Sequence, residues 1–557
     1  MRRRVSWIEG TMNFVAALTD LSNQAMSKPV EPTDSVSTGA WILLCLAVAM
    51  ALAFEFVNGF HDTANAVATV IYTHSLKPWV AVVWSGLCNL AGVLLSPSGV
   101  AFTIVALLPA EMVIHVGTEA GFAMVFALLI SAILWNLGTW YLGLPASSTH
   151  TLTGAIMGVG LCNSLMAGGH FGEGVNWDEV RKVFLTLLVS PIFGFVGAAL
   201  LLLLSKLLLR WPALYAAPPK DTPPPMGVRA LLITTCTGVS FFHGSNDGQK
   251  GMGLLLLILI GVLPSVYALK LDTSSDSIHK LQTDASVIAN TYDPHPDTAM
   301  GTKAAEGELE KYLRGKDEFD SKTLPALGVI NHDIAKSIAG HQALTELSTD
   351  ARAALRSNLY LTGTAITKLK KEKRISDAAE QTTLDNYKTK SIDPLTQFIP
   401  TWVKIATACA LGFGTMIGWK RIVVTVGEKI GKEHLTYAQG ASAEIMAMAT
   451  IFAADKAHLP VSTTHVLSSG VAGTMVANGS GLQMATLRNI LLAWVLTLPV
   501  CVVLGAGLFA AALVIVLHNL APAALGLLVV ALLGFAIWKS KSTRSKPAET
   551  PATMTAA

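Results

Sequence analysis

The chain is 557 residues long, 52% hydrophobic and only 14% charged, with a mean hydropathy of +0.51. So much apolar material cannot be enclosed by a water-facing surface of ordinary polarity, which excludes a soluble globular fold and indicates a membrane protein. A net charge of +3 excludes the basic surface that a nucleic-acid partner requires.

Residues 1–37 begin with Arg2, Arg3 and Arg4 but lack the apolar core and small-residue cleavage site of a signal peptide, and read as an interfacial or disordered lead. At roughly 20 apolar residues per crossing, spanning candidates follow at 39–73, 79–108, 121–142, 146–166, 183–209, 229–266, 398–419, 438–455, 460–478, 486–517 and 521–538. The tracts 39–73 and 229–266 are interrupted near the middle by Gly and polar residues, as in helices that break within the membrane. Segments around Pro145 and Pro460 read as re-entrant hairpins. The expected fold is all-α and integral to the membrane, with about 10–12 transmembrane segments, hairpins included. Cys45, Cys88, Cys162, Cys236, Cys409 and Cys501 fall in or beside apolar tracts without paired spacing and read as small core residues. The basic loops 206–229 and 420–432 belong in the cytoplasm by the positive-inside rule.

Two polar patterns each occur twice in this apolar chain. Asn58-Gly-Phe-His-Asp-Thr-Ala-Asn65 is echoed by His243-Gly-Ser-Asn-Asp-Gly-Gln-Lys250, and Leu144-Pro-Ala-Ser-Ser-Thr-His150 by Leu459-Pro-Val-Ser-Thr-Thr-His465. Polar groups in hydrocarbon are costly and persist where they act. Duplicated polar elements are how many carriers assemble one midplane site from two inverted repeats. Asp62 and Asp247 lie 185 positions apart, His150 and His465 lie 315 apart, and the excess of 130 matches the polar stretch 267–396. That stretch therefore reads as an insertion into the second repeat, and its periodicity around Ile330–Leu369 predicts a small helical domain. The resulting organisation is a lead at 1–37, a first membrane repeat at 38–210, and a second at 229–266 and 398–517 around the insertion. Residues 518–557 hold a last membrane segment and a C-terminal tail.

Each Pro-x-Ser-Ser/Thr-Thr-His run reads as a helix start, where free backbone amides and partial positive charge suit a tetrahedral oxyanion. Ser147, Ser148 and Thr149 with Ser462, Thr463 and Thr464 add hydroxyls, and two such ends could surround one phosphate. The alternative is a pair of ordinary caps whose hydroxyls satisfy their own helices. Asp62 and Asp247 occupy matching positions and can bind a cation or carry a proton, which would help an anion enter against a negative interior potential. Asn65 and Asn246 offer neutral oxygens, and His61 and His243 can relay protons or sit neutral in a hydrogen-bond network. Glu55, Asn136 and Glu444 are single intramembrane polar residues.

At these residues the chain resembles the inorganic phosphate transporter (PiT) family, most closely the low-affinity Pit carriers of Gram-negative bacteria. The resemblance rests on Gly59-Phe-His-Asp-Thr-Ala-Asn-Ala66, Gly244-Ser-Asn-Asp-Gly-Gln-Lys-Gly251, Pro145–His150 and Pro460–His465. Trp135–Trp140 and Gly414–Trp419 support it. It implies an inverted-repeat secondary transporter of the bacterial inner membrane, with phosphate at the Ser/Thr helix ends and the coupling cation at the Asp/Asn motifs. Sodium-coupled members carry Gly-x-Asn-Asp-x-x-Asn in both copies, whereas here His61 replaces one Asn and Lys250 the final one. An ammonium supplies no oxygen and repels sodium, so the departures favour proton coupling. Lys250 can instead pair with Asp247 or touch phosphate. The resemblance also implies that phosphate can travel as a neutral complex with Mg or Zn. No cofactor is expected; the residues of a metal site are not identified, and a homo-oligomer is left open.

Three other readings stand beside proton-coupled phosphate import. They are a sodium-coupled carrier or one for sulfate or arsenate, a membrane phosphate sensor with the insertion as output, and a membrane phosphatase. The last is disfavoured because each candidate nucleophile, His150 or His465, has an equivalent in the other copy.

Overall fold

The computed structural model describes residues 38–107, 119–166, 172, 175–219, 222–267, 269–293, 300–314 and 319–517. Among them every extended element is helical, and β-type pairing is limited to a bridge between Gly431 and Leu482. The first half holds α1 (Thr38–Asp62), α2 (Ala64–Tyr72), α3 (Pro78–Leu95), α4 (Gly99–Val105), α5 (Glu119–Tyr141), α6 (Ser148–Met166) and α7 (Trp177–Leu208). α8 (Met226–Val262) leads into α9 (Ser275–Tyr292), α10 (Thr302–Arg314), α11 (Thr323–Ser337), α12 (Thr349–Lys371) and α13 (Ala378–Tyr387). The chain then continues through α14 (Thr401–Thr415), α15 (Lys420–Glu428), α16 (Tyr437–Lys456), α17 (Thr463–Asn478) and α18 (Met484–Leu517).

The ends of these helices follow local chemistry. Pro78 opens α3 where no amide partner is needed, and Thr436 and Gln439 close a capping box on α16. Asn176 caps α7, whose first turn carries Asp178 and Glu179 and whose last carries Lys206, matching the helix dipole at both ends.

Five spans among the described residues are long and apolar enough to cross a membrane: Trp41–Tyr72, Pro78–Leu95, Ala120–Tyr141, Trp177–Leu208 and Met484–Ile515. α14 and α15, bent by 63°, make a sixth if counted together. Bulky apolar residues such as Phe193, Leu207 and Val503 point outward from these helices, as lipid contact requires, and the protein is multi-pass. The count falls short of the expected crossings and hairpins because the remaining helices carry the polar motifs or are short. α17 has 16 residues, about 24 Å of helix against about 30 Å of hydrocarbon. Tract 521–538 and the lead at 1–37 lie outside the described residues.

Two expectations are corrected. α8 runs 37 residues without interruption straight through His243–Lys250, and the α1–α2 tract is only nicked at Thr63. The motif glycines signal close helix contact rather than a break. A Cβ at Gly244 would lie 2.2 Å from the Asn89 carbonyl oxygen of α3, and one at Gly92 would lie 2.0 Å from that of Phe241 on α8. The same reciprocal use of glycine joins α1 to α14, α6 to α18, and α7 to α17. These four pairings are the most extensive in the membrane part, and each joins the first half to the second. Second, much of the basic stretch 420–432 is helix α15, with Ile422, Val423 and Val426 buried on one side.

The membrane part has two apolar clusters. One holds Leu44–Phe54 of α1, much of α6 and the second half of α8, including Met252, Leu254, Leu255 and Leu257–Leu259. The other holds α2, the first half of α8 and α17. The polar motifs lie at the seam where these helices pass from one cluster to the other.

Residues 269–395 build a third apolar cluster of their own, around Ile278, Leu309, Ile330, Leu359 and Tyr387. Tyr387 is buried and donates to Asn331 at 2.7 Å, and burial pushes its hydroxyl well above the ordinary tyrosine range. The segment's ends meet, because the Lys270 amide donates to the Leu395 carbonyl at 2.9 Å. Replacing residues 271–394 by a short Gly/Ser linker is therefore expected to leave membrane insertion intact and phosphate uptake within about threefold, since closing a short loop costs little. Uptake by proteoliposomes of the shortened protein measures this, and loss of all uptake would make the segment part of the transport machinery.

Candidate functional site

Each repeated helix start divides its hydroxyls between two tasks. The Ser147 hydroxyl accepts from the His150 amide at 3.2 Å and that of Ser462 from the His465 amide at 3.2 Å, so the first serine of each run caps its own helix. The following hydroxyls turn into the seam. The Ser148 hydroxyl lies 3.4 Å from a carboxylate oxygen of both Asp62 and Asp247, and Thr464 donates to Asp62 at 2.7 Å. Thr463 and Thr464 accept from the Asn65 amide at 3.2 and 2.9 Å, while Thr149 donates to the Val461 carbonyl at 3.0 Å. All six hydroxyl residues are buried.

The structure brings Asp62 to the end of α1 and holds the joint through Thr63, whose hydroxyl donates to the carbonyls of Gly59 and Thr415, each at 2.9 Å. His61 lies between Asp62, at 3.0 Å, and the Thr139 hydroxyl, at 3.1 Å. Asp247 pairs with the Lys250 ammonium at 2.8 Å, one turn along α8. Asn58 donates to Asp247 at 3.4 Å. Asn246 is turned away from the aspartates and clamps the extended Pro460 segment. Its amide donates to the Leu459 carbonyl and its oxygen accepts from the Val461 amide, both at 3.2 Å.

His243 completes the centre. Its Nδ1 lies 2.6 Å from the Asn89 side-chain oxygen, and the Asn89 amide nitrogen is itself spent on the Ser85 carbonyl. Since that oxygen only accepts, Nδ1 carries a proton, and Nε2 faces Asp62 at 3.7 Å and Asp247 at 3.6 Å. In the neutral ring Nε2 and the two carboxylate oxygens thus face one another with no hydrogen between them, an arrangement that a proton on Nε2 or a small cation would satisfy. One ligand atom each of Asp62, His243 and Asp247 falls within 4.8 Å of the others, and among the described residues this is the one such group. Two carboxylates against one ammonium also leave the buried centre short of positive charge.

The ring of His150 lies 4.7 Å from that of His465, which stacks at 4.0 Å on Trp494. Trp494 in turn donates to the Pro145 carbonyl at 2.9 Å. Reading the sequence missed Trp494, Asn89, Thr139 and Asp455. The last accepts from Ser245 and Gln249, each at 2.7 Å, and so fastens α16 to the motif face of α8. No local signal marks these partners, whose hydrogen bonds reach across 78 to 349 positions. Glu444 accepts from Thr235 away from the centre, Asn136 is buried, and Glu55 lies against Gly251.

Residues 58–505 match the sequence profile of the phosphate transporter family. The low-affinity inorganic phosphate transporter PitA of Escherichia coli (strain K12) is 41% identical over 483 residues, 84% of this chain and 96% of PitA. PitB of the same organism is 40% identical over 484 residues, with the same coverage. A probable low-affinity inorganic phosphate transporter of Bacillus subtilis (strain 168) is 29% identical over 466 residues, 84% of this chain and 96% of its own. Among solved structures, a sodium-dependent phosphate transporter aligns with a TM-score of 0.46 and 18% identity, covering 84% of this chain and 98% of that one. These relatives are named as transporters, not enzymes. The chain belongs to the phosphate transporter family.

Proposed function

We propose that this protein imports inorganic phosphate across a bacterial inner membrane by symport with protons, and that a divalent metal such as Mg or Zn can enter with the phosphate. The observation that carries this reading is the convergence of Asp62, Asp247 and the Nε2 side of His243 beside the hydroxyls of two helix starts. The helix starts offer dipole and hydroxyls to an anion, yet the adjoining carboxylates would repel a bare one. Phosphate therefore binds there only when positive charge comes with it. A proton taken up at the aspartates or at His243 meets that need, and so does a metal ion, for which carboxylate oxygen suits Mg and imidazole suits Zn. Lys250 at the position matching Asn65 supports protons over sodium.

The two halves are read as inverted repeats. In support, the helix starting at Ser148 heads one apolar cluster and the helix starting at Thr463 heads the other, and glycine contacts between the halves are reciprocal. Alternating access would then rock one cluster against the other about the polar seam.

Phosphate near neutral pH keeps a hydroxyl to donate to a carboxylate, and sulfate does not. Tenfold excess sulfate is expected to leave phosphate uptake nearly unchanged, while arsenate, which shares the protonation pattern, competes. Inhibition by sulfate as strong as by unlabelled phosphate would point to a general oxyanion carrier.

A further inference from the structure

We propose that Glu55 is the second docking position of the Lys250 ammonium, which leaves Asp247 for Glu55 when substrate delivers positive charge to the aspartates. This rests on the carrier reading above. Lys250 and Glu55 are both fully buried, and among the described residues the ammonium is paired with Asp247 alone, at 2.8 Å. Neither carboxyl oxygen of Glu55 makes a well-formed hydrogen bond among the described residues, the donors beside it being the Asn58 side-chain amide and the Gly251 backbone amide. A buried carboxyl without a well-formed hydrogen bond or a cation is costly and is kept where it acts.

Placement favours the exchange. Glu55 packs on Gly251, the residue after Lys250, so closely that a Cβ there would lie 2.2 Å from its Cγ and 2.6 Å from Oε1. The charged groups that act on Glu55 are Lys250 and Asp247, both from α8. Among the described side chains, the other helices packed on α1 bring no second carboxylate to Glu55, and their one ammonium is held elsewhere. On α14, Lys404 is engaged with the Ser96 carbonyl and Cys409 is half-buried, and on α5 Tyr141 stands at the exposed end. A flexible four-carbon stem lets one ammonium serve two carboxyls on facing helices. With Lys250 on Asp247, the empty site has part of its negative charge offset. With Lys250 on Glu55, Asp62 and Asp247 are both free for the incoming charge. Lys250 thus acts as a tethered cation that substrate must displace, and Glu55 as the positioning residue that receives it.

The test is phosphate exchange by proteoliposomes in the presence of magnesium. Activity of the unaltered protein reports separately on the carrier reading. Glu55→Gln leaves the ammonium no charged alternative, and is expected to raise the half-saturating phosphate concentration about tenfold or more. Adding Lys250→Met to Glu55→Gln removes the competitor and is expected to reverse most of that rise, a non-additivity that independent residues do not show. Glu55→Asp, which keeps the charge, is expected to fall between Glu55→Gln and the unaltered protein. Equal effects of Glu55→Gln with and without Lys250, or a Glu55→Asp variant as impaired as Glu55→Gln, would overturn the proposal.

Discussion

Asp62→Asn and Asp247→Asn are each expected to abolish phosphate accumulation while the protein still reaches the membrane. The asparagine oxygen can still accept from Thr464 or Asn58, so what is removed is the charge rather than the shape. Loss of one charged member of a buried set typically costs about 3–5 kcal/mol, or roughly two to four orders of magnitude in an equilibrium constant at about 1.4 kcal/mol per tenfold. The two variants differ in what they leave behind. Asp62→Asn removes the negative charge that faces both His61 and His243. Asp247→Asn removes the carboxylate that the buried Lys250 ammonium pairs with and leaves Glu55 to receive it, so its membrane abundance needs parallel measurement. Full accumulation by both variants would remove the aspartates from coupling.

Lys250→Asn is expected to make uptake respond to sodium. The position matches Asn65 in the first copy, whose side-chain oxygen is buried. An ammonium next to Asp247 repels a second monovalent cation by about 4 kcal/mol at close range in a medium of effective dielectric near 20. An amide removes that repulsion and supplies an oxygen. Uptake by the variant should rise about tenfold on adding a sodium gradient, against no response in the unaltered protein. The absence of any sodium response would mean that Lys250 is not what excludes the ion.

The residues that form the centre were legible because they recur. Asp62 with Asp247, and the Ser147 and Ser462 runs, are rare polar clusters in apolar sequence, and duplication singles them out. The path of the backbone through them was less legible. A Gly-rich polar stretch such as His243–Lys250 looks like a helix break to a local reading, but the glycines admit α3 to the surface of α8 and the helix continues. The two meanings of glycine differ only in what lies opposite, which a single chain does not display. The same holds for the tautomer of His243, fixed by Asn89 from another helix, and for the stack of His465 on Trp494. Lys250 illustrates the intermediate case. Its departure from the motif was visible, whereas the buried Glu55 that gives it somewhere to go became evident only once α1 and α8 were seen in contact.

The most direct measurement is radiolabelled phosphate uptake into proteoliposomes under an imposed proton gradient without sodium, and under an imposed sodium gradient without a proton gradient, each with and without magnesium. Uptake driven by the proton gradient alone, and increased by magnesium, is the predicted result. Uptake that requires sodium, or none under any of these conditions, would contradict a proton-coupled phosphate carrier.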